Sequence, residues 1–451
     1  MKRSALLSHS RDITVRKRVI IVTLFDGSRG LWEYDRSVSI FWYAFCSNLA
    51  AGSRSSEMSL RTVRQVTRTN DQKQKGPTCS SMQGGVVVLY SNKALEKNSK
   101  HESVTRASIA SRLAALKGYE FAGEYNEADC DRRPRYLVPA DTLVGIRTAR
   151  ELGVASEADL FGGVVPYPFV ATKTITHPLV SAGAAAPEGW SDHFPRRVKD
   201  AVLSGFAAFT VDDARLACAR VLERGLARLK PALGIGGKGQ KVVSSLGEMD
   251  SALEALDPAE LSMYGISIEE NLKEVTTYSI GQVRLDELLL TYCGTQRVTS
   301  DHSGASVYGG SDLVVIRGGF ETLMALDLTP ELRSAVAQAC TYDTAASEEF
   351  PGFLASRRNY DVAAGRDSGG RRRTGVLEQS WRVGGASPAE VAALEAFRAD
   401  QTLRAVRASC PEIYDANHEP PPRAHVYFRG EDDEAGSMIK YSVVETYGNS
   451  R

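Results

Sequence analysis

From Met82 onward the hydrophobic and polar positions alternate between short apolar runs and amphipathic stretches. "GVVVLYS" is a continuous apolar run next to glycine, the mark of a buried strand. "RASIASRLAALKG" repeats Ile109, Leu113 and Leu116 along one helical face and ends on Gly118, a residue suited to a helix stop. "RYLVPADTLVG" adds a strand and a turn at Pro139 and Asp141, before a helix running toward Gly153. These pieces predict a small βα unit over 82–165, closed by the Pro- and Gly-punctuated link "FGGVVPYPFVATKTITHPLV".

The middle of the chain has clearer periodicity. "TVDDARLACARVLERG" places Ala214, Ala217, Cys218, Val221 and Leu222 on one stripe, with Thr210 as cap and Gly225 as stop. A strand "LARLKP" and a glycine loop "ALGIGGKGQKVVSS" follow. A second helix then opens on a Ser245/Glu248 capping box and repeats Leu246, Met249, Leu253 and Leu256. Gly234, Gly236, Gly237 and Gly239 let backbone N–H groups approach an anion, with Lys238 adding charge and Lys230 on the preceding strand within reach. The loop lacks GK[ST], and a strand rather than a helix follows it, so it is neither a Walker nor a Rossmann loop. On its own it is a hairpin. "ISIEE" reads as a buried strand, with Glu269 and Glu270 either rim charges or acceptors for a ribose or adenine-side group. A strand then begins near Thr277, "LLLTYCGTQRVTS" ends another with Gln296 and Arg297, and "YGGSDLVVIRGG" returns antiparallel.

"RRNYDVAAGRDSGGRRRTGVLEQSWRVGG" reads as a hairpin. A turn at Gly369 and Gly370 pairs residues whose numbers sum to 739. That register sets Asp361 opposite Glu378, Asn359 opposite Ser380 and Arg357 opposite Arg382. Two facing carboxylates repel each other, and a divalent cation between them reverses the sign. Hard oxygen ligands suit Mg²⁺ bridging nucleotide phosphates, and arginines on the same face suit the anions beside it. The competing reading is a surface hairpin whose acids are neutralised by Arg371, Arg372 and Arg373.

Composition narrows the field. The chain has 451 residues, 43% of them hydrophobic, enough for two or three globular domains. Its 55 basic and 55 acidic residues balance, but residues 1–81 hold 14 basic against 6 acidic, leaving 41 against 49 beyond them. An acidic body argues against nucleic-acid binding. Seven scattered cysteines without a CxxC pair fit reduced thiols and a cytoplasmic setting, and the histidines show no HxxxH or HExxH spacing. No apolar run reaches the ~18 residues of a membrane span. The apolar stretch "VSIFWYAFCSNLAA" lies too far into the chain and is too polar at its flanks for a signal peptide, and 51–81 reads as disorder. Met82 therefore reads as the natural start, with 1–81 a disordered or extraneous extension.

Lys173, a helix, Lys230, the glycine loop, "IEENL", "NYD" and "LEQSWRVGGAS" occur in an order that resembles the ATP-grasp superfamily, whose members include biotin carboxylase and D-alanine:D-alanine ligase. "DTLVG", "DLFGGVVP", "FVATKTITHPLV", "VTTYSIGQV", "YGGSDLVV", "ASRRNYDVA" and "VLEQSWRVGGAS" are similar to a bacterial ATP-grasp-like family of unknown function, over about 82–447. The resemblance implies an α+β ATP-grasp fold, two α+β lobes clasping ATP, preceded by the small α/β domain: lobe 1 with its lid over 166–275, lobe 2 with its metal site over 276–451. It assigns Lys173 and Lys230 to ATP phosphates, with Lys199 in reserve for the first. Gly236, Gly237 and Gly239 become the lid, and Glu269 and Glu270 serve adenine and ribose. Asp361 and Glu378 hold magnesium, while Arg382 and Arg297 steady the transferred group.

The superfamily's asparagine ligand is Ser380 here, a weaker ligand, and Asn359 across the hairpin is a source for the missing oxygen. The implied activity is an ATP- and Mg²⁺-dependent ligase that activates a small-molecule carboxylate as an acyl phosphate for attack by an amine or other nucleophile. Against it stand an ATP-binding sensor or scaffold without turnover and an unrelated α+β binding protein. "RYLVPADTLVG", "HSGASVYGGSD" and the link around His177 are candidate walls for the substrate pocket. Cys410 and His418 read as bystanders.

Overall fold

The computed structural model describes residues 19–23, 29–33, 84–91, 99–128, 132–234, 239–254 and 256–447. The chain divides into two units, Met1–Ser80 and Ser81–Arg451. In the first, β1 (Val19–Thr23) and β2 (Arg29–Glu33) form an antiparallel hairpin, an ordered element that the leader's composition does not announce. The disorder expected over 51–81 lies outside the described residues.

The second unit begins with a three-stranded parallel sheet of β3 (Val86–Tyr90), β4 (Glu120–Glu124) and β5 (Arg135–Pro139), with β3 in the middle. Its helix spans Lys100–Lys117 and stops at Gly118, whose φ of 66° is left-handed as expected. Ile109 and Leu113 are buried, but not in a core of their own. They belong to one cluster with Val315, Leu394, Phe397 and Tyr427 from the C-terminal part of the chain. Two short strands, β6 (Leu143–Val144) and β7 (Gly163–Val165), lead into the link.

Next comes a four-stranded sheet in the order β10-β9-β11-β8, with β8 at Gly205–Ala208, β9 at Ala227–Pro231, β10 at Lys241–Val243 and β11 at Ile266–Glu270. Side chains alternate along each strand. Ala227, Leu229, Ile266 and Ile268 pack against the helices Val211–Leu222 and Leu246–Leu253, which turns Lys230, Ser267 and Glu269 to the opposite face. Thr210 caps the first helix as expected. The second departs in two ways. Leu246 is 45% exposed because it is the first helical residue and overhangs the core. The capping box is also only half formed: Ser245 Oγ accepts from Glu248 N–H, while the Glu248 carboxylate accepts from Ser244 instead.

The large sheet has nine strands, in the order β17-β16-β12-β13-β14-β18-β21-β19, with β20 on the free flank of β21. Its members are β12 (Lys273–Leu285), β13 (Leu288–Ser300), β14 (Ser306–Arg317), β16 (Arg357–Arg366), β17 (Arg372–Ser380), β18 (Ala405–Ser409), β19 (Glu412–Ile413), β20 (His425–Asp432) and β21 (Gly436–Thr446), while β15 (Leu354–Ala355) pairs with β7. β12 starts at Lys273, ahead of Thr277. β13 runs past Gln296 and Arg297 instead of ending there, and a register shift between Gln296 and Val298 sets Arg297 against a bulge in β14 at Gly309 and Gly310. A helix at Pro330–Glu349 covers the sheet through Ala335, Val336, Ala339 and Tyr342. Among the described residues, no helix is long and apolar enough to cross a membrane.

The β13 and β14 backbones touch at Gly294, where a Cβ would lie 1.9 Å from the Asp312 carbonyl oxygen. Gly294→Ala forces the strands apart and is expected to cost roughly 1–3 kcal/mol, read as a lowered midpoint in thermal unfolding. An unchanged midpoint contradicts this packing.

Candidate functional site

The β16–β17 hairpin carries the two acids. At its tip the paired numbers sum to 738, as in Arg366 opposite Arg372, one less than expected. A register shift between Asp361 and Val362 leaves Leu377 as an extra residue in β17 and restores the sum to 739 beyond it. Asp361 therefore lies opposite Glu378 and Asn359 opposite Ser380. β17 ends at Ser380, so Arg357 and Arg382 form no strand pair. β17 is an edge strand, but it is not solvated: Gln379 and Trp381, which alternate to its other face, are buried.

Gln379 reaches under the link and donates to the carbonyls of Val170 (3.1 Å) and Thr172 (2.7 Å). Those bonds fix the short 3-10 turn Lys173–Thr176, and Ser267 Oγ holds the Lys173 carbonyl at 3.2 Å. Lys173 is only 5% exposed. Its ammonium lies 2.7 Å from Glu378 Oε2 and donates to the Gly234 carbonyl, at the root of the glycine loop, at 2.6 Å. Lys230, 2% exposed, donates to both oxygens of Glu269 at 3.2 and 3.3 Å and to the Leu377 carbonyl at 2.8 Å. Two lysines from the first sheet and its link thus meet the bulge and the acid of the second. Lys199, the reserve choice, is exposed beyond the helix His193–Val198 and takes no part.

The two acids face different electrostatic environments. Burial pushes Glu378 toward its neutral form, but Lys173, Lys230 and Arg382 outweigh it and hold the carboxyl below its usual range. Asp361 is pushed up to about 6, first by burial and then by Glu378, against hydrogen bonds from Gln296 and Asn359. The arginine run neutralises neither: Arg371 pairs with Asp367, Arg372 with Glu331 and Arg373 with Glu270.

Other expected residues have their own partners. Glu269 is no rim charge. It is 1% exposed, and its carboxyl is kept low against burial by Lys230 and by His177, whose Nε2 lies 3.0 Å away. Glu270 accepts from Ser204 N–H and Arg373. Gly239 has a left-handed φ of 75°, while Gly236 and Gly237 lie outside the described residues. Arg382 sits 3.5 Å from Asp141 and donates to the Val383 carbonyl. Arg297 forks onto Asp312 at 2.5 Å through each of two nitrogens. Arg357 does not face the anions, because its buried guanidinium grips Glu390 and donates to Ser380 Oγ at 3.0 Å. Cys410 is buried beside the Gly385 carbonyl.

Sequence reasoning did not reach Tyr292 and Glu390. Tyr292 hides in the regular alternation of a strand, and Glu390 sits in the first turn of the helix Ser387–Ala399, where an acid is ordinarily a solvated end charge. Among the described residues, no three His, Cys, Asp or Glu side chains gather in a metal-binding group. The donor set still fits a hard divalent cation. It offers two facing carboxylates, one with its charge uncompensated, and leaves further positions to amide, phosphate or water oxygens.

Residues 88–442 match the family described as "Protein of unknown function (DUF3182)", and the chain belongs to it. No curated protein matches by sequence. Solved structures with a similar outline include biotin carboxylase from Campylobacter jejuni, at 9% identity over 80% of this chain and 87% of that one, with a TM-score of 0.41. N5-carboxyaminoimidazole synthase from Aspergillus clavatus matches at 12% identity over 80% and 94%, with a TM-score of 0.42. D-alanyl-alanine synthetase A from Vibrio cholerae matches at 12% over 68% and 91%, with a TM-score of 0.40.

The raised Asp361 carboxyl sets a pH dependence. Its contribution to stability is fully present below the unfolded value of about 3.9 and is lost as pH rises through about 6. Asp361→Asn is therefore expected to raise the thermal midpoint above wild type at neutral pH, with the gain disappearing toward about pH 4. Melts across that range check it, and a gain that grows toward acid contradicts it.

Proposed function

We propose that the chain is an ATP-grasp ligase, ATP- and Mg²⁺-dependent, that activates a small-molecule carboxylate for attack by an amine or another nucleophile. The observation that carries this reading is the meeting of Lys173 and Lys230 with Glu378 and the Leu377 carbonyl across two sheets. Buried ammonium groups from one lobe, with a glycine loop at their side, thereby confront a carboxylate pair from the other. Phosphoryl transfer needs positive charge on the phosphate oxygens and little covalent help from the protein.

In this reading Lys173 exchanges Glu378 for a phosphate when nucleotide enters. Lys230 stays anchored by Glu269 and turns to the same anion the N–H that now donates to the Leu377 carbonyl. Glu378, released from Lys173, and Asp361, ionised by the added charge, hold the metal. Bound magnesium supplies charge neutralisation for the group in transfer. In this reading Arg382 steadies the acyl phosphate, and Arg297 leaves Asp312 to join it.

A binding protein without turnover is the second reading. It is favoured by Ser380, whose hydroxyl already accepts from Arg357 and is poorly placed to complete a metal site. ADP release stimulated by a panel of carboxylates separates the two. Glu378→Ala and Asp361→Ala are each expected to lower that release at least ~100-fold. Nucleotide binding without ADP release across the panel favours the second reading.

Millimolar Mg-ATP is expected to raise the wild-type thermal midpoint, and Lys230→Met to abolish the rise. Equal shifts in both proteins count against Lys230 as a phosphate ligand. No shift in either counts against nucleotide binding.

A further inference from the structure

Building on the assignment of Asp361 and Glu378 to a cation, we propose that Tyr292, held by Glu390 and Arg357, governs the side-chain amide of Asn359, which turns its oxygen onto the cation as the site fills. Around Asn359 the protons do not suffice for the contacts present. The Tyr292 hydroxyl has one proton. Two close acceptors claim it, Glu390 Oε1 at 2.5 Å and the Asn359 oxygen at 2.9 Å, with the Arg358 carbonyl farther off at 3.5 Å. Glu390 is 0% exposed and ion-paired to Arg357, whose Nε lies 3.1 and 3.0 Å from its two oxygens. A carboxylate outcompetes a neutral amide for a hydroxyl proton, so the proton goes to Glu390. The Tyr292 oxygen then faces Asn359 as an acceptor, and an acceptor calls for the N–H end of the amide. Ser279 Oγ, 3.2 Å from the same amide end, donates to the Asn359 oxygen here, and its hydroxyl can accept from the N–H end once the amide turns.

At its other end the amide lies 2.8 Å from Asp361 Oδ1. With N–H on Asp361, Tyr292 is left between two acceptors with one proton. With N–H on Tyr292 and Ser279, the amide oxygen opposes a carboxylate oxygen. Each orientation is one contact short without a cation, and a cation satisfies the second, because it binds both opposed oxygens. Amide oxygen and nitrogen are nearly the same size, so the turn needs little space. Asn359 thereby supplies the neutral oxygen that Ser380, occupied by Arg357, does not. Tyr292, Glu390 and Arg357 are positioning residues.

The probe is Mn²⁺ alone, titrated into the full chain, with the free ion followed by electron paramagnetic resonance. Asn359→Leu and Tyr292→Phe are each expected to weaken binding by ~10-fold or more, whereas Asn359→Asp, which keeps an oxygen there, and Ser380→Ala retain it. Circular dichroism melts verify that each variant is folded. With selectively ¹⁵N-labelled asparagine, the Asn359 amide resonances are expected to shift on adding Mg²⁺ in wild type and to stay in place in Tyr292→Phe. Tight Mn²⁺ binding by Asn359→Leu, or its loss in Ser380→Ala, overturns the inference. If Asp361→Asn and Glu378→Gln weaken binding while Asn359→Leu does not, only the inference falls. If wild type binds no Mn²⁺, or both acid variants bind as wild type does, the cation site itself falls too.

Discussion

The contact between Lys173 and Glu378 is the interaction on which the arrangement depends. A buried ammonium is tolerated only when paired, and Lys173 and Lys230 are both almost wholly removed from solvent. Their partners come from the other sheet: the carboxylate of Glu378 and the carbonyl of Leu377. Separating the sheets strands Lys173 and Glu378 and leaves Lys230 with Glu269 alone, so the packing of the two sheets and the chemistry of the site are one constraint. The Leu377 bulge serves both ends of it, presenting a carbonyl to Lys230 and setting the register of Glu378.

The same contact makes the two carboxylates unequal. Glu378 has neighbouring cations and stays ionised, whereas Asp361, across the ladder, has amide donors and the largely engaged charge of Arg357 against burial and the repulsion of Glu378. Behind Asp361 lies a closed chain of buried groups, Asn359, Tyr292, Glu390 and Arg357, which ends on the hydroxyl of Ser380. The positive charge in that chain is largely engaged by Glu390 and by carbonyls. It therefore relieves Asp361 only in part, and burial with the repulsion of Glu378 still keeps that carboxyl raised.

Much of this was legible in the residues. Alternation and glycine placement fixed the hairpin, and with it the opposition of Asp361 and Glu378, although the turn sits half a residue away and the bulge makes up the difference. Lys230 was legible because it stands on a strand before a glycine loop. What lay hidden has identifiable causes. The helix Pro330–Glu349 buries alanines in place of a leucine stripe, so periodicity passes over it. The partners of Lys173 come from residues 61 and about 200 positions away, and no local pattern encodes such pairings. Arg357 looked like an anion ligand because strand alternation gives the face but not the reach of a long side chain, which here bends back to Glu390.

The shared core of the first βα unit has a mechanical consequence. Helix Lys100–Lys117 is packed into the same cluster as the helix Ser387–Ala399 and the C-terminal strands, so these parts are bound to travel as a single body. The four-stranded sheet packs one face on its own two helices, but Ala207 of β8 on its other face joins the cluster under the large sheet, and the chain passes onward from Glu270 to Lys273. The Lys173 and Lys230 contacts and the Ala207 packing therefore clasp that sheet to the large one from two sides.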